Sequence, residues 1–407
     1  MTSVKIAVVG GGIQGCGVAL ELADRGFHVD LFERSSRLMQ GASRHCEGKI
    51  HLGYVYAADE SLRTARLMAA AASTFLPTVR RWIGRSADRL VTSTPFRYAI
   101  HRDSMRTTSQ LATSYETMSG IVRAEFGEGE MVPDMDVGHV RRVEPGDDWP
   151  YGPAILGAYE TSEIAVEPEG LADAIEEAVL SHPSIRTICE ASVIAVDVRN
   201  QAITSRLGQD TGSRSRHDRY EHIVNCSWGG LPKLDSTAGL VPTRSWNFRM
   251  KYFVRLAACD ATTPTPSTTF VLGPFGDVVD FGGAGRYLSW YPAGRLGFST
   301  DLVPPDWKAE LPRSASAEVA RNIADGLTTV MPSIAAILPA VESRGSVRGG
   351  LIYAHGNTDL SDSDTELHQR HSIGITSVGP YSSVNTGKLT TAPYFARHVA
   401  DRLCGIA

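Results

Sequence analysis

The sequence predicts an α/β protein in which a parallel sheet is assembled from both ends of the chain and a second, largely antiparallel β domain is inserted into it. Three observations support this prediction: an apolar strand, glycines and a helix over residues 4–26, a strand-rich aromatic stretch over residues 246–300, and a strand, a loop and a helix over residues 373–403. At 407 residues, the chain is long enough for two or three domains of ordinary size.

The N-terminal glycines form a G-x-G-x-x-G motif. Residues 4–9 are mostly β-branched and apolar, which predicts a buried parallel strand, and Gly10, Gly12 and Gly15 follow it at the start of a helical pattern. Gly10 permits a tight turn, Gly12 lets the backbone approach a pyrophosphate, and Gly15 lets the helix pack on the strand. Free N–H groups at the start of that helix would bind the anion, so the motif predicts a dinucleotide site.

A second strand strengthens this prediction. It covers residues 27–32 and ends at Glu33, about 20 residues after the glycines, where a Rossmann-like fold places the acid that binds the ribose. An acid at that position favours a free 2′-hydroxyl, and therefore FAD or NAD over NADP. The motif does not distinguish FAD from NAD. We expect Ile13, Gln14 and Arg34 to contact the cofactor as well.

The segments between the two ends are predicted from periodicity and from turn residues. Helices are predicted over residues 61–85, with a kink or break at Pro77, and over residues 167–180. A hairpin covers residues 193–206, an exposed loop residues 207–219, and a short strand residues 222–225, whereas residues 91–155 show no clear period. Near the C-terminus, residues 373–378 predict a final buried strand, residues 379–387 a loop and residues 388–403 a helix.

These segments predict two domains that alternate along the chain. We assign residues 1–90, 156–235 and 340–407 to a discontinuous Rossmann-like cofactor domain, and residues 91–155 and 236–339 to a substrate domain. Both the first and the last segments resemble Rossmann-type units, which is why the substrate domain is expected to be inserted in two pieces.

Composition and charge exclude several classes of protein. Forty basic and 45 acidic residues give a net charge of −5, which argues against a nucleic-acid surface. No apolar run is long enough for a membrane helix, and the first residues lack the pattern of a signal peptide. The 6 cysteines are scattered without a C-x-x-C, so we expect neither a metal site nor disulfides, but a cytoplasmic protein with reduced thiols. The acidic residues Asp359, Asp362, Asp364 and Glu366 lack EF-hand spacing and indicate a solvated turn.

Several motifs resemble the D-amino-acid-oxidase-like superfamily of FAD-dependent oxidoreductases, and most of all its L-2-hydroxyglutarate oxidase members. The main one is GASRHCEGKIHLGYVY at residues 41–56. Glu167-Pro168, the strand end at residues 224–227, the strand at residues 346–349 and the terminal loop and helix are similar to further segments of that superfamily. Cys46-Glu47 and Lys49 depart from it, because Asn-Ser and a small apolar residue are usual there.

The resemblance implies bound FAD and a small substrate that carries a carboxylate beside an oxidisable CH–OH or CH–NH group, with O₂ or another molecule as electron acceptor. It also implies further cofactor contacts. These are Ser43, Arg44, His45, Val193, Cys226, Ser227, Ser383, Val384, Asn385 and Thr386. His45 matches a position where dimethylglycine dehydrogenases bond the flavin covalently, so either a covalent bond or a simple ring contact is expected there.

Two residues are candidates for the chemistry. Arg348 is expected to hold the substrate carboxylate, since a guanidinium offers a rigid bidentate fork, although a structural ion pair is the alternative. His51 is a candidate base for an alcohol proton, with a packing role as its alternative. Arg249 and Lys251 alternate on a predicted strand and would face either a second anionic group or solvent. The substrate pocket is expected to include Tyr54, Tyr252, Tyr291 and Tyr381.

Two other functions fit the same motifs. One is an NAD-dependent Rossmann dehydrogenase, which would purify without flavin colour. The other is a non-catalytic FAD-fold binding protein, which would hold flavin that no acid substrate bleaches. Neither a G-x-S-x-G elbow nor an H-E-x-x-H motif occurs in the sequence, so acyl-transfer and zinc-protease chemistry are not indicated.

Overall fold

The computed structural model describes residues 4–90, 92–127, 129, 131, 135–146, 149–208, 215–258, 265–362 and 365–405. Cys259, Asp364 and residues 209–214 of the predicted loop lie outside the described residues. The strands are β1 (Lys5–Val9), β2 (His28–Phe32), β3 (Lys49–Ile50), β4 (Thr92–Ser93), β5 (Phe96–His101), β6 (Val140–Val143), β7 (Ile155–Thr161), β8 (Ile164–Val166), β9 (Ile185–Ile188), β10 (Ala191–Asp197), β11 (Ala202–Leu207), β12 (Ser215–Arg219), β13 (His222–Asn225), β14 (Trp246–Leu256), β15 (Thr268–Val271), β16 (Gly276–Asp280), β17 (Arg286–Trp290), β18 (Arg295–Ser299), β19 (Gly345–His355), β20 (Gly374–Val378) and β21 (Tyr381–Asn385). The helices are α1 (Ile13–Asp24), α2 (Arg63–Ile83), α3 (Thr108–Phe126), α4 (Pro168–Ser181), α5 (Leu231–Thr237), α6 (Tyr291–Gly294), α7 (Arg313–Val330), α8 (Leu338–Arg344) and α9 (Thr391–Leu403).

A six-stranded sheet joins the two ends of the chain. Its strand order is β20-β21-β13-β1-β2-β9, and β1 and β21 flank β13 in parallel register. Strand β1 near its centre is mostly apolar and buried, as expected where helices cover a sheet, and α1 and α9 pack against each other. The α/β class and the parallel sheet built from both ends are therefore confirmed.

A nine-stranded, largely antiparallel sheet forms the second layer. Its strand order is β18-β14-β17-β16-β15-β5-β7-β6, and β19 pairs with the whole of β14, from Trp246 opposite His355 to Leu256 opposite Gly345. The pair of β5 and β15 is parallel. Helix α7 packs against this sheet through Val319, Ile323 and Leu327. The inserted β region is thus also confirmed.

The pairing of two strands corrects the predicted domain boundaries. β7 pairs with β5 and β19 pairs with β14, so residues 156–161 and 345–355 belong to the nine-stranded sheet and not to the cofactor domain. We therefore propose shifting those boundaries, while the rest of the division remains a prediction.

Local structure differs from the prediction at four places. Residues 215–219 of the expected loop form β12, which pairs with β11. Residues 374–378 form an edge strand whose last three residues are exposed, and the expected loop contains the buried strand β21. Helix α3 lies in the aperiodic stretch, where Thr107 and Gln110 form a capping box. Helix α2 continues through Pro77, so the alternative of a second helix starting there is wrong. In the described part of the chain, no helix is both long and apolar enough to cross a membrane.

Candidate active site

A cavity of about 940 Å³ lies between the two sheets. Its wall contains the glycine turn after β1, the end of β2, residues 40–43, 45–49 and 51, the residues after β13 and parts of the large sheet. Residues 303–309 and 386–389 complete the wall. The cavity therefore runs from the predicted dinucleotide site to the second sheet.

The glycine turn is shaped by close backbone contacts. Gly10 has φ +102°, and a Cβ there would lie 2.7 Å from the carbonyl oxygen of Cys226, the residue after β13. A Cβ at Gly15 would lie 1.8 Å from the carbonyl oxygen of Gly10. A Cβ at either position would overlap the neighbouring backbone, so both positions require glycine. The start of α1 remains open to the cavity.

Two side chains hold the turn in place. The carboxylate of Glu33 accepts hydrogen bonds of 2.7 Å from the backbone N–H groups of Gly11 and Ser35. The hydroxyl of Ser43 accepts a bond of 2.9 Å from the N–H of Ile13, at the first residue of α1. These bonds fix the geometry of the turn, the strand end and residues 41–43 relative to one another.

The opposite part of the wall carries two buried guanidinium groups. Arg249 on β14 is 2% exposed and Arg370, after β19, is 6% exposed. Among the described residues, the Nε atoms of both have no hydrogen-bond partner. Burial lowers the pKa of Arg370, and the positive charge of Arg249 lowers it further. This part of the cavity therefore has an excess of positive charge.

A tyrosine and an aspartate orient Arg249. The hydroxyl of Tyr291 lies 3.0 Å from Nη1 of Arg249 and donates a bond of 2.5 Å to Asp359. Asp359 also forms an ion pair of 3.0 Å with Arg295. The interpretation of Asp359 as part of a solvated turn is therefore wrong, since this carboxylate is shared by two guanidinium groups and a phenol.

His51 lies between two carboxylates. β3 pairs with β8, which brings residue 51 beside residue 163, and Nδ1 of His51 lies 3.5 Å from Glu163 while Nε2 lies 3.8 Å from Glu47. Burial alone would raise the pKa of Glu163, but the adjacent His51 ring and Lys49 hold it below its ordinary value. Tyr98 and the N–H of Leu52 also donate to Glu163.

A buried lysine completes this side of the cavity. Nζ of Lys49 lies 3.3 Å from Asp277, 4.3 Å from the ring centroid of Phe96, and within hydrogen-bond distance of Thr269. Lys251 lies 3.4 Å from the second oxygen of Asp277. Burial would raise the pKa of Asp277, but the two ammonium groups lower it, so the carboxylate stays ionised.

Comparison with known proteins identifies the family. A family model described as FAD-dependent oxidoreductase matches residues 5–402. The chain belongs to this family of FAD-dependent oxidoreductases. The protein is therefore an FAD-dependent enzyme, which confirms the superfamily resemblance and decides between the FAD and NAD alternatives that the glycine motif left open.

Solved structures share the fold of this FAD-dependent oxidoreductase. Glycine oxidase from Geobacillus kaustophilus has a TM-score of 0.68 at 16% identity, over 98% of this chain and 94% of that one. L-alpha-glycerophosphate oxidase from Mycoplasma pneumoniae, with FAD bound, has a TM-score of 0.65 at 14% identity, over 99% and 95% of the two chains. At such identities the likeness shows the fold alone.

A curated relative matches a short segment. FAD-dependent monooxygenase FPY4 from Fusarium mangiferae is 38% identical over 59 residues, which is 14% of this chain and 16% of that protein. The oxidoreductase thus aligns with about one sixth of that relative's length. This match supports an FAD-dependent enzyme. It does not identify the substrate.

The residues of the glycine turn fit FAD. The turn leaves room where a Cβ at Gly12 would meet only the Ser43 hydroxyl at 3.1 Å, so a diphosphate can approach the helix start. Gln14 is buried, its Oε1 accepts a bond of 3.0 Å from Thr386, and its Nε2 has no partner among the described residues. An unpaired buried donor at the start of α1 is what a bound anionic or carbonyl-bearing group would satisfy.

Most predicted cofactor contacts lie in the cavity wall. The wall includes Gly10, Gly12, Ile13, Gln14, Glu33, Arg34, Ser43, His45, Val193, Cys226, Ser227 and Thr386. They remain proposals as cofactor ligands, as does a covalent bond at His45.

Five predicted contacts lie outside the wall. Gly15 packs on the carbonyl of Gly10, and Arg44 forms an ion pair of 2.6 Å with Asp173 on α4. Ser383, Val384 and Asn385 belong to the buried strand β21, where polar side chains bond to the protein itself. Gly15 has the helix-packing role that the motif predicts, and Arg44 is corrected to the partner of an ion pair. The predictions for residues 383–385 are corrected because β21 is a core strand and not a loop over the cofactor.

The substrate-side predictions also need correction. Arg348 does not line the cavity; its half-exposed guanidinium lies 3.4 Å from Glu310, which matches the alternative of a structural ion pair. Tyr291 and His51 line the cavity, whereas Tyr54 packs in an aromatic cluster and the hydroxyls of Tyr252 and Tyr381 donate to Lys308 and Asp235.

Sequence reasoning missed Arg370 and His368 entirely. Both lie in the polar segment between β19 and β20, which resembles a surface loop in composition, yet both line the cavity. A weak signal was available, because two histidines and an arginine fall within residues 368–371. The turn that contains His368 contacts β19, and the N–H of Arg370 donates a bond of 2.9 Å to Thr64 on α2, which no local pattern shows.

Proposed function

We propose that this enzyme oxidises a small carboxylate-bearing substrate by removing a hydride from its CH–NH or CH–OH carbon. The observation that carries the proposal is the pair of buried guanidinium groups of Arg249 and Arg370 in the cavity wall. Bound FAD supplies the hydride acceptor.

The charge of this pair favours an anionic ligand. A guanidinium buried without a matching anion is costly, and Asp359 is already shared with Arg295 and Tyr291. A carboxylate would bond to the unpartnered Nε atoms and offset the repulsion between the two arginines. Arg249 and Arg370 would thereby bind the substrate and orient its reacting carbon.

The rest of the wall suits a small organic acid. Aromatic side chains of Tyr56, Phe253, Tyr287 and Tyr291 line the cavity and would exclude water around the reacting carbon. The glycine oxidase with the same fold supports an amino acid as substrate. The glycerophosphate oxidase with that fold supports an alcohol as the alternative substrate.

The test is an anaerobic screen of purified, yellow enzyme against small amino and hydroxy acids, read as bleaching of the flavin absorbance. A substrate that bleaches the flavin supports the proposal, and readmission of air then shows whether O₂ reoxidises it. Failure of every acid, together with bleaching by an uncharged amine or alcohol, would contradict it.

The arginine pair is tested by substitution. Arg249→Met and Arg370→Met should each raise KM or the substrate Kd by on the order of 10-fold or more, since a hydrogen bond to a charged group contributes ~1.5–3 kcal/mol. Arg348→Met is the matched control and should leave KM unchanged, because that guanidinium lies outside the cavity. A large KM effect in the control alone would return the carboxylate site to Arg348.

A further inference from the structure

We infer that His368 accepts the proton that the N–H or O–H group of the substrate loses during oxidation, and that His51 does not. This inference rests on the proposed function, because it places the base beside the arginines that would hold the carboxylate.

The position of His368 suits a base. It ends a short helical turn at Glu366–His368, is buried, and lines the same cavity as Arg370, two residues further along the chain. Its ring forms a hydrogen bond with the backbone of Asp362, while Nε2 has no partner among the described residues. The bond to a backbone carbonyl therefore belongs to Nδ1–H, which leaves the lone pair on Nε2.

The surrounding charges keep this ring neutral. Burial lowers the pKa of His368, and the positive charges of Arg370 and Arg249 lower it further, whereas the backbone and carboxylate of Asp362 act in the opposite direction. At neutral pH the ring is then unprotonated at Nε2 and able to accept a proton.

His51 lies in the opposite environment. Both of its ring nitrogens are within 4 Å of a carboxylate, Glu163 at 3.5 Å and Glu47 at 3.8 Å. Ionised carboxylates accept hydrogen bonds and donate none, so each ring nitrogen of His51 faces an acceptor and not the N–H or O–H group of a substrate.

His45 is the remaining histidine in the described part of the wall. Burial lowers its pKa, followed by the charges of Arg348 and Arg44. It lines the cavity, and its backbone carbonyl lies against Gly350 on β19. His45 is therefore the alternative candidate for the base, and the variant His45→Gln is included in the test.

The proton transfer balances the oxidation. The C–H bond of the substrate breaks and its electron pair leaves with the hydrogen as hydride to the bound FAD. The N–H or O–H bond also breaks, its proton goes to Nε2 of His368, and its electron pair forms the new C=N or C=O bond. The substrate loses two electrons and the cofactor gains them.

The first experiment measures protonation without relying on turnover. In ¹⁵N-histidine-labelled, FAD-loaded enzyme at neutral pH, His368 should be neutral with its proton on Nδ1, and its signal is assigned by its loss in His368→Gln. A charged His368, or a His368 protonated on Nε2, would overturn the inference whether or not any substrate is known.

The second experiment uses an acid that bleaches the flavin. His368→Gln should lower the rate constant of anaerobic flavin reduction by about 10²-fold or more and remove the decline in rate at low pH that protonation of the base causes. His51→Gln should retain that decline. Loss of the decline in His45→Gln but not in His368→Gln would assign the base to His45 and refute the inference while leaving the proposed function intact.

Discussion

At the scale of single residues, the cavity shows how surroundings and not residue type decide a chemical role. Arg249, Arg370 and Arg348 are all arginines near β14 or β19, but only the first two are buried in the cavity wall with unpartnered Nε atoms. Arg348 instead forms an ion pair with Glu310 at the surface. The same reasoning separates His368 from His51, since one faces cations and the other faces carboxylates.

Glu163 should contribute to stability in a pH-dependent way. It is fully buried, its pKa is lowered mainly because His51 and Lys49 outweigh the effect of burial, and Glu163→Gln removes one partner of a buried pair. We expect a loss of about 3–5 kcal/mol at neutral pH in denaturant unfolding. Because the folded pKa lies below the unfolded value of about 4.3, this contribution is present above that value and is lost as pH falls further.

Glu310→Gln is the matched control for that measurement. Its side chain is exposed and its pair with Arg348 lies at 3.4 Å on the surface, so the change should stay within about 0.5 kcal/mol. Equal effects of the two variants would show that the buried pair contributes nothing beyond a surface one.

At the scale of elements, the close approach of β1 and α1 depends on two glycines, Gly10 and Gly15, which have no Cβ. Gly15→Ala would place a Cβ 1.8 Å from the Gly10 carbonyl, so α1 would have to move away from the turn. We expect a loss of about 1–3 kcal/mol and a purified protein with a lower ratio of FAD to protein, measured by absorbance. An unchanged FAD content would show that the turn tolerates the shift.

Gly120→Ala provides the contrast. Gly120 is an exposed position inside α3 where a Cβ meets nothing within 4 Å. Alanine there should stabilise the protein by about 0.5–1 kcal/mol and leave the FAD content unchanged.

The sequence predicted elements whose signal is local and missed those that depend on distant partners. The glycine turn was predicted because strand, glycines, helix and acid lie within 33 consecutive residues. Strand β21 was taken for a loop because Ser382, Ser383 and Asn385 are polar, yet distant partners such as His222, Asp235 and His355 satisfy them in the core. The segment around Arg370 was missed for the same reason, since the backbone of Arg370 bonds to Thr64, which lies 306 residues away.

At the scale of the whole molecule, helix α9 connects the C-terminus to the cofactor side. It packs on α1 and α2 and buries Phe395, Ala396 and Val399. Deleting residues 391–407 should therefore expose apolar surface and abolish FAD retention, measured by flavin content and by solubility. Deleting residues 404–407 leaves α9 intact and should preserve both; flavin retained after the longer deletion would contradict the prediction.

The hydrogen bond from Thr386, the residue after β21, to Gln14 on the first helix joins positions 372 residues apart in the sequence. During synthesis, β1 and α1 therefore emerge from the ribosome long before β21 does. We expect the nascent chain to acquire flavin only after Thr386 has been added, and chains that stop earlier to remain colourless.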